Sequence, residues 1–87
     1  MHEAALIADL IRQVTGIARQ CQATKVTGVH VKLGALSHLS PAHVRGHFVR
    51  AARGTVADGA QLTIETLTDI LDPLAQELQL HSIEVED

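Results

Sequence analysis

The sequence contains one cysteine, Cys21, and one aromatic residue, Phe48, among 87 residues. A single cysteine cannot form a disulfide within the chain, and it excludes a zinc site built from several cysteines. The lack of aromatic side chains argues against a surface on which single-stranded nucleic acid could stack. The formal net charge is −3, whereas a phosphate-binding surface needs a clustered excess of lysine and arginine. We therefore expect no nucleic-acid partner.

Long apolar runs are also missing, since none approaches the roughly 20 residues that span a bilayer. The N-terminus has neither a basic stretch nor the apolar run of a signal peptide. These features predict a cytoplasmic protein with no membrane segment. A chain of 87 residues favours one domain with a modest hydrophobic core.

The hydrophobic pattern of the first half predicts a helix, a strand and a second helix. Apolar residues recur at helical spacing over residues 3–21. Apolar and polar residues alternate over residues 25–34, which is typical of a strand with one buried face. Ser40 is the expected N-cap of the second helix, Pro41 its first residue, and Gly54 the residue that ends it.

The second half predicts two further strands. One lies around residues 62–64, and the other covers residues 78–86, with a change of phase near His81 that indicates a bulge. Residues 66–77 contain leucine and isoleucine residues that could line one side of a short helix. The order helix, strand, helix, strand, strand predicts an α+β fold, in which two helices lie on one face of a small three-stranded sheet.

The residues Met1, His2 and Glu3 form a chelating pattern at the N-terminus. The α-amine of Met1, the amide nitrogen of His2 and the His2 imidazole can bind one ion through fused small rings. A backbone nitrogen or the carboxylate of Glu3 could complete four-coordination. Four nitrogen or oxygen donors in a plane suit Ni(II) or Cu(II). A histidine at position 2 also occurs by chance in proteins that bind no metal, so this pattern alone leaves both interpretations open.

Four stretches of the sequence, in the same order, resemble signatures of the HypA/HybF family of hydrogenase maturation proteins. They are residues 1–3, 31–37, 53–60 and 77–87. The combination of Met-His-Glu at the start with Ser-Ile-Glu-Val-Glu near the end is the most specific part. The resemblance covers most of residues 1–65 and 77–87.

The resemblance implies a single nickel-binding domain over residues 1–87 that acts as a metallochaperone and not as an enzyme. Members of the family bind nickel at the N-terminal Met-His-Glu, which corresponds here to Met1, His2 and Glu3. They work with the GTPase HypB to deliver Ni(II) to the large subunit of [NiFe] hydrogenase, and some also serve urease. These proteins are the partners that the resemblance implies.

The sequence departs from the family pattern at two places. Family members carry two Cys-x-x-Cys pairs before the last strand, whereas residues 66–77 replace that zinc module and contain no cysteine. We therefore expect no bound zinc, since a structural zinc site closes with four cysteine or histidine ligands. Ser40 occupies a position where some relatives have an acidic residue, and a hydroxyl is a poorer nickel ligand than a carboxylate.

Three histidines near the second helix are further candidates for metal binding. His38 lies in the loop before the helix and is an expected accessory donor. His43 and His47 are four residues apart, so they share one side of the helix and could hold a metal together. Two independent surface histidines are the favoured interpretation of that pair.

The remaining candidates have ordinary structural interpretations. His30 and His81 alternate with apolar strand positions, which predicts that they lie on an exposed strand face. Cys21 is expected to pack in the core, as lone cysteines often do.

One alternative to a nickel carrier stays open. It is a metal-independent interaction module, either a HypA paralogue or a fragment without the zinc module, that docks on HypB or the hydrogenase large subunit. The apolar residues of the 66–77 segment also suggest a homodimer, because a short connection on the surface would leave them exposed.

Overall fold

The computed structural model describes residues 3–86 and contains two helices and a three-stranded sheet. The elements follow the order α1 (Glu3–Gln20), β1 (Lys25–Leu33), α2 (Pro41–Ala52), β2 (Gln61–Thr66) and β3 (Leu78–Glu86). The predicted α+β fold and the order of its elements are confirmed. No helix within residues 3–86 is long and apolar enough to cross a membrane.

The central strand β1 is parallel to β2 on one side and antiparallel to β3 on the other. Since a parallel pair needs a crossover connection, α2 passes over the sheet between β1 and β2. On the β3 side, His30 pairs with Ser82 and Val31 pairs with Leu80, so His81 is an extra residue. The predicted bulge near His81 is confirmed.

One face of the sheet packs against both helices and forms the core. Val29 of β1 pairs with Leu62 of β2 and contributes to this face. The helices contribute Val14 from α1 and Phe48 from α2, both of which are almost completely buried. Complete burial of such side chains stabilises the fold by about 1.5–3 kcal/mol each. The nearly all-aliphatic composition therefore suffices for a core.

Helix α1 forms because its apolar residues lie along one side that faces this core. The helix ends at Gln20, and Gln22 then adopts a left-handed conformation with φ of 57°. The amide of Ala23 donates to the Ala18 carbonyl at 2.9 Å, which closes the end of the helix. Cys21 lies in this turn and is exposed, so the prediction that it packs in the core is wrong. The chain has already left the buried side of α1 at that point.

Helix α2 begins at Pro41 and is followed by Gly54, which has a positive φ of 77°. This confirms the predicted start and the predicted stop signal. Ser40 occupies the N-cap position, but its side chain makes no capping hydrogen bond.

The segment between β2 and β3, residues 67–77, consists of turns and extended chain. The short helix considered for this region does not form. Instead, the Asp69 carboxylate accepts a hydrogen bond from the amide of Leu71, and the Asp72 carboxylate accepts one from the amide of Leu74, both at 2.9 Å. Aspartate side chains that bond to nearby amides favour turns over helix. Ile70, together with these two leucines, is consequently exposed.

Candidate metal site

Met1 and His2 lie outside the described residues, so the surroundings of Glu3 define what the structure contributes to the predicted site. Glu3 is the first residue of α1. The first amides of a helix have no carbonyl partner within the helix. The backbone nitrogen of Glu3 could therefore bind a metal without breaking a helical hydrogen bond.

One oxygen atom of the Glu3 carboxylate is shielded from solvent. Its Oε2 atom is buried and has no hydrogen-bond partner among residues 3–86, and the side chain as a whole is 25% exposed. Leaving a buried acceptor without a partner costs about 1–3 kcal/mol, and more for a charged group. This oxygen is therefore suited to a cation, and the chemistry of the site fits Ni(II), which accepts nitrogen and oxygen donors.

His47 of α2 lies beside this carboxylate. Its Nε2 atom is 3.7 Å from Oε2 of Glu3, which is beyond the usual hydrogen-bond distance. The other ring nitrogen, Nδ1, lies 3.5 Å from a guanidinium nitrogen of Arg50. Because a guanidinium can only donate, that contact requires an unprotonated Nδ1. Packing of α1 against α2 thus brings an imidazole and a carboxylate together at the first residue of α1.

The structure places the other candidate histidines differently. His38 is exposed in the loop between β1 and α2 and lines a cleft with Leu6 and Gln76. It lies near the first turns of α1, but the imidazole within 4 Å of the Glu3 carboxylate is that of His47. The role of His38 as an accessory donor stays a prediction. His43 is exposed one turn before His47.

Within residues 3–86, no three histidine, cysteine, aspartate or glutamate residues lie close enough together to hold a metal ion. Among these residues, Glu3 and His47 are therefore at most two donors of a metal site at this end of α1. On the opposite face of the sheet, Nε2 of His30 lies 3.7 Å from Oε1 of Glu84. His81 is exposed, as predicted for a strand-face residue.

The proximity of His47 to Glu3 is the feature that sequence reasoning missed. The four-residue spacing identified His43 and His47 as a pair, but spacing within one helix does not reveal which neighbouring helix a side chain meets. The available signal was that His47 precedes Phe48 on α2, so it borders the buried side of the helix.

Comparison with known proteins places the chain in a family. Residues 1–72 match the family model described as hydrogenase/urease nickel incorporation, metallochaperone, hypA. A hydrogenase maturation factor HypA from Picosynechococcus is 36% identical over 67 residues, which cover 77% of this chain and 59% of that protein. The HypA factor from Archaeoglobus fulgidus is 39% identical over 64 residues, which cover 74% of this chain and 58% of that protein.

The chain thus spans less than two thirds of the length of these curated relatives. The solution structure of the Ni metallochaperone HypA from Helicobacter pylori superposes with a TM-score of 0.84 and 21% identity. That superposition covers 99% of this chain and 98% of the other, and it shows a shared fold. Taken with the match of the family model to residues 1–72, these similarities show that the chain belongs to the HypA family.

Proposed function

We propose that this chain is a nickel metallochaperone of the cytoplasm that serves the maturation of [NiFe] hydrogenase and catalyses no reaction itself. In this proposal Ni(II) is the cargo, and it binds at Met1, His2 and Glu3. The observation that supports the site most directly is the buried Oε2 atom of Glu3, which lacks a hydrogen-bond partner among residues 3–86. The family match supports the wider role.

Each residue has a distinct part in the proposed site. Met1 supplies the α-amine, and His2 supplies its amide nitrogen and its imidazole. Glu3 supplies either its carboxylate or its backbone nitrogen, which has no partner within α1. Nitrogen-rich tetragonal coordination suits Ni(II) and Cu(II) alike, and the family match is what favours nickel.

The proposed partners are the GTPase HypB and the large subunit of [NiFe] hydrogenase. We further propose that residues 1–87 form one nickel-binding domain in which residues 66–77 replace a zinc module. A metal-independent module that docks on the same partners is the second candidate. It is favoured by the apolar surface that the side chains of Ile70, Leu71 and Leu74 each expose. The same surface could instead support a homodimer.

Nickel titration of the protein with its authentic N-terminus tests the metal site. We expect one Ni(II) per chain in isothermal titration calorimetry, and loss of that binding in His2→Ala and in a variant with an N-terminal extension. His43→Ala is the matched control, because His43 is exposed on α2 and should leave binding unchanged. Unchanged affinity in the two N-terminal variants would move the site elsewhere and would favour the interaction module.

A further inference from the structure

We propose that His47 supplies an additional donor to the nickel ion held by the N-terminal residues. This inference rests on the proposed function, since it needs an ion at Met1, His2 and Glu3. It adds a ligand from α2 to a site that otherwise belongs to the start of α1. The observation behind it is the position of the His47 Nε2 atom, 3.7 Å from Oε2 of Glu3.

The His47 Nε2 and Glu3 Oε2 atoms lie too far apart for a direct hydrogen bond, and close enough for both to bind one ion after a small side-chain movement. A hydrogen bond between nitrogen and oxygen is usually about 2.7–3.2 Å long. Bonds from a metal to nitrogen or oxygen are about 2.0–2.2 Å long. In a tetragonal site neighbouring ligands subtend 90° at the ion, so their donor atoms lie about 2.8–3.1 Å apart. A small movement of either side chain would bring both atoms to such a distance.

Burial and packing hold the two groups in place. The side chain of His47 is 35% exposed and that of Glu3 is 25% exposed, so each is partly fixed by its neighbours. His47 also directly precedes Phe48, which is 1% exposed and fixes this turn of α2 in the core. A donor on a rigid helix loses little conformational freedom when it binds a metal.

Binding at Nε2 has a local consequence for Arg50. A neutral imidazole that binds a metal through Nε2 carries its hydrogen on Nδ1. Nδ1 could then no longer accept from the guanidinium of Arg50, and the 3.5 Å contact would be lost.

The coordination number changes with this donor, and so does the spin state of nickel. Four donors in a plane give diamagnetic Ni(II). Addition of the His47 imidazole would raise the coordination number, and Ni(II) with six nitrogen or oxygen ligands is paramagnetic. Paramagnetic proton NMR and the number of imidazole ligands counted by X-ray absorption spectroscopy therefore report on His47 directly.

The experiment compares the nickel-loaded wild type with His47→Gln, and with His43→Gln as the control from the same helix. We expect two imidazoles and a paramagnetic ion in the wild type and in His43→Gln. For His47→Gln we expect one imidazole, a diamagnetic ion and an affinity for Ni(II) at least about tenfold weaker. Circular dichroism of each variant checks that the fold is retained.

The outcomes separate this inference from the proposed function. Absence of nickel binding by the wild type would overturn both. A wild-type site with one imidazole, or a site unchanged in His47→Gln, would overturn the role of His47 and leave the N-terminal site intact. Loss of the second imidazole in His38→Gln, but not in His47→Gln, would assign the additional donor to His38 and also overturn the inference. Because the wild-type imidazole count alone can refute the idea, failure of a variant to fold does not protect it.

Discussion

The backbone of Gly34 lies directly against the backbone of Ala75. A Cβ atom at Gly34 would overlap the carbonyl group of Ala75 and would lie 2.9 Å from the Leu74 carbonyl oxygen. Two hydrogen bonds flank this contact, from the amide of Gly34 to the Glu77 carbonyl at 2.9 Å and from the amide of Leu36 to the Ala75 carbonyl at 2.7 Å. The end of β1 thereby anchors the turns of residues 67–77.

This close approach predicts that Gly34→Ala destabilises the protein. The added methyl group meets backbone atoms, which cannot rotate away, so we expect a loss of about 1–3 kcal/mol in the free energy of unfolding. Urea denaturation followed by circular dichroism measures it. Gly28→Ala is the control, because a Cβ there meets only the side chain of Glu84, which can move. Equal midpoints for the two variants would contradict the prediction.

The single aromatic side chain carries a large share of the core. Phe48 is 1% exposed and lies among aliphatic residues from both helices and the sheet, so Phe48→Ala should cost about 3–5 kcal/mol. Val49 is the next residue and is 52% exposed, so Val49→Ala should change stability by at most about 0.5 kcal/mol. Thermal unfolding of both variants checks the difference. Similar losses in the two would mean that Phe48 is not the centre of the core.

Elements with a clear hydrophobic period were predictable from the sequence. The alternation in β1 and the apolar stripe of α1 are local patterns, and each reflects one buried face. Even the bulge at His81 was visible, because an extra residue reverses the alternation of a strand.

The turns of residues 67–77 were not predictable in the same way. Their apolar spacing fits a helix, but the carboxylates of Asp69 and Asp72 bind amides two residues ahead and stabilise turns instead. The approach of His47 to Glu3 depends on how α2 packs against α1, which no local pattern encodes. At Cys21 the apolar surroundings in the sequence suggested burial, but the chain turns away from the core there.

The exposed apolar residues of the 67–77 segment predict self-association. Leu71 is 86% exposed and Ile70 is 61% exposed, and a second copy of the chain could cover both. We expect light scattering at high micromolar concentration to give a dimer for the wild type and a monomer for Leu71→Asp. Reductant must be present, since the exposed Cys21 could link two chains.

His2→Ala is the control for this measurement, because it should remove metal binding without changing the dimer. Measurement at two protein concentrations identifies a dimer, because its average mass falls on dilution whereas that of a monomer does not change. A monomeric mass for the wild type at high concentration, with and without nickel, would show that the apolar surface does not pair.

The purified protein should not contain one zinc ion per chain. Four cysteine or histidine ligands close a structural zinc site, and residues 3–86 contain no cluster of three ligating side chains. Elemental analysis after treatment with a chelator measures the zinc content per chain. Cys21→Ser is the control and should give the same zinc content. One tightly held zinc per chain would contradict the prediction and would require a different role for the histidines.

Strand β1 lies in the sheet between β2, which follows it after α2, and β3, which is much further along the chain. This arrangement has a consequence for folding kinetics. The pairing of β1 with β2 closes a loop of moderate length through α2, whereas Thr24 bonds to the carbonyl of Glu86, 62 residues further along the chain. Contacts between residues so distant in sequence raise the contact order and slow folding. During translation, the helices and β2 leave the ribosome before β3 can pair. Closure of the sheet by β3 should then be the slow step of folding, and the uncovered edge of β1 should be exposed until it occurs.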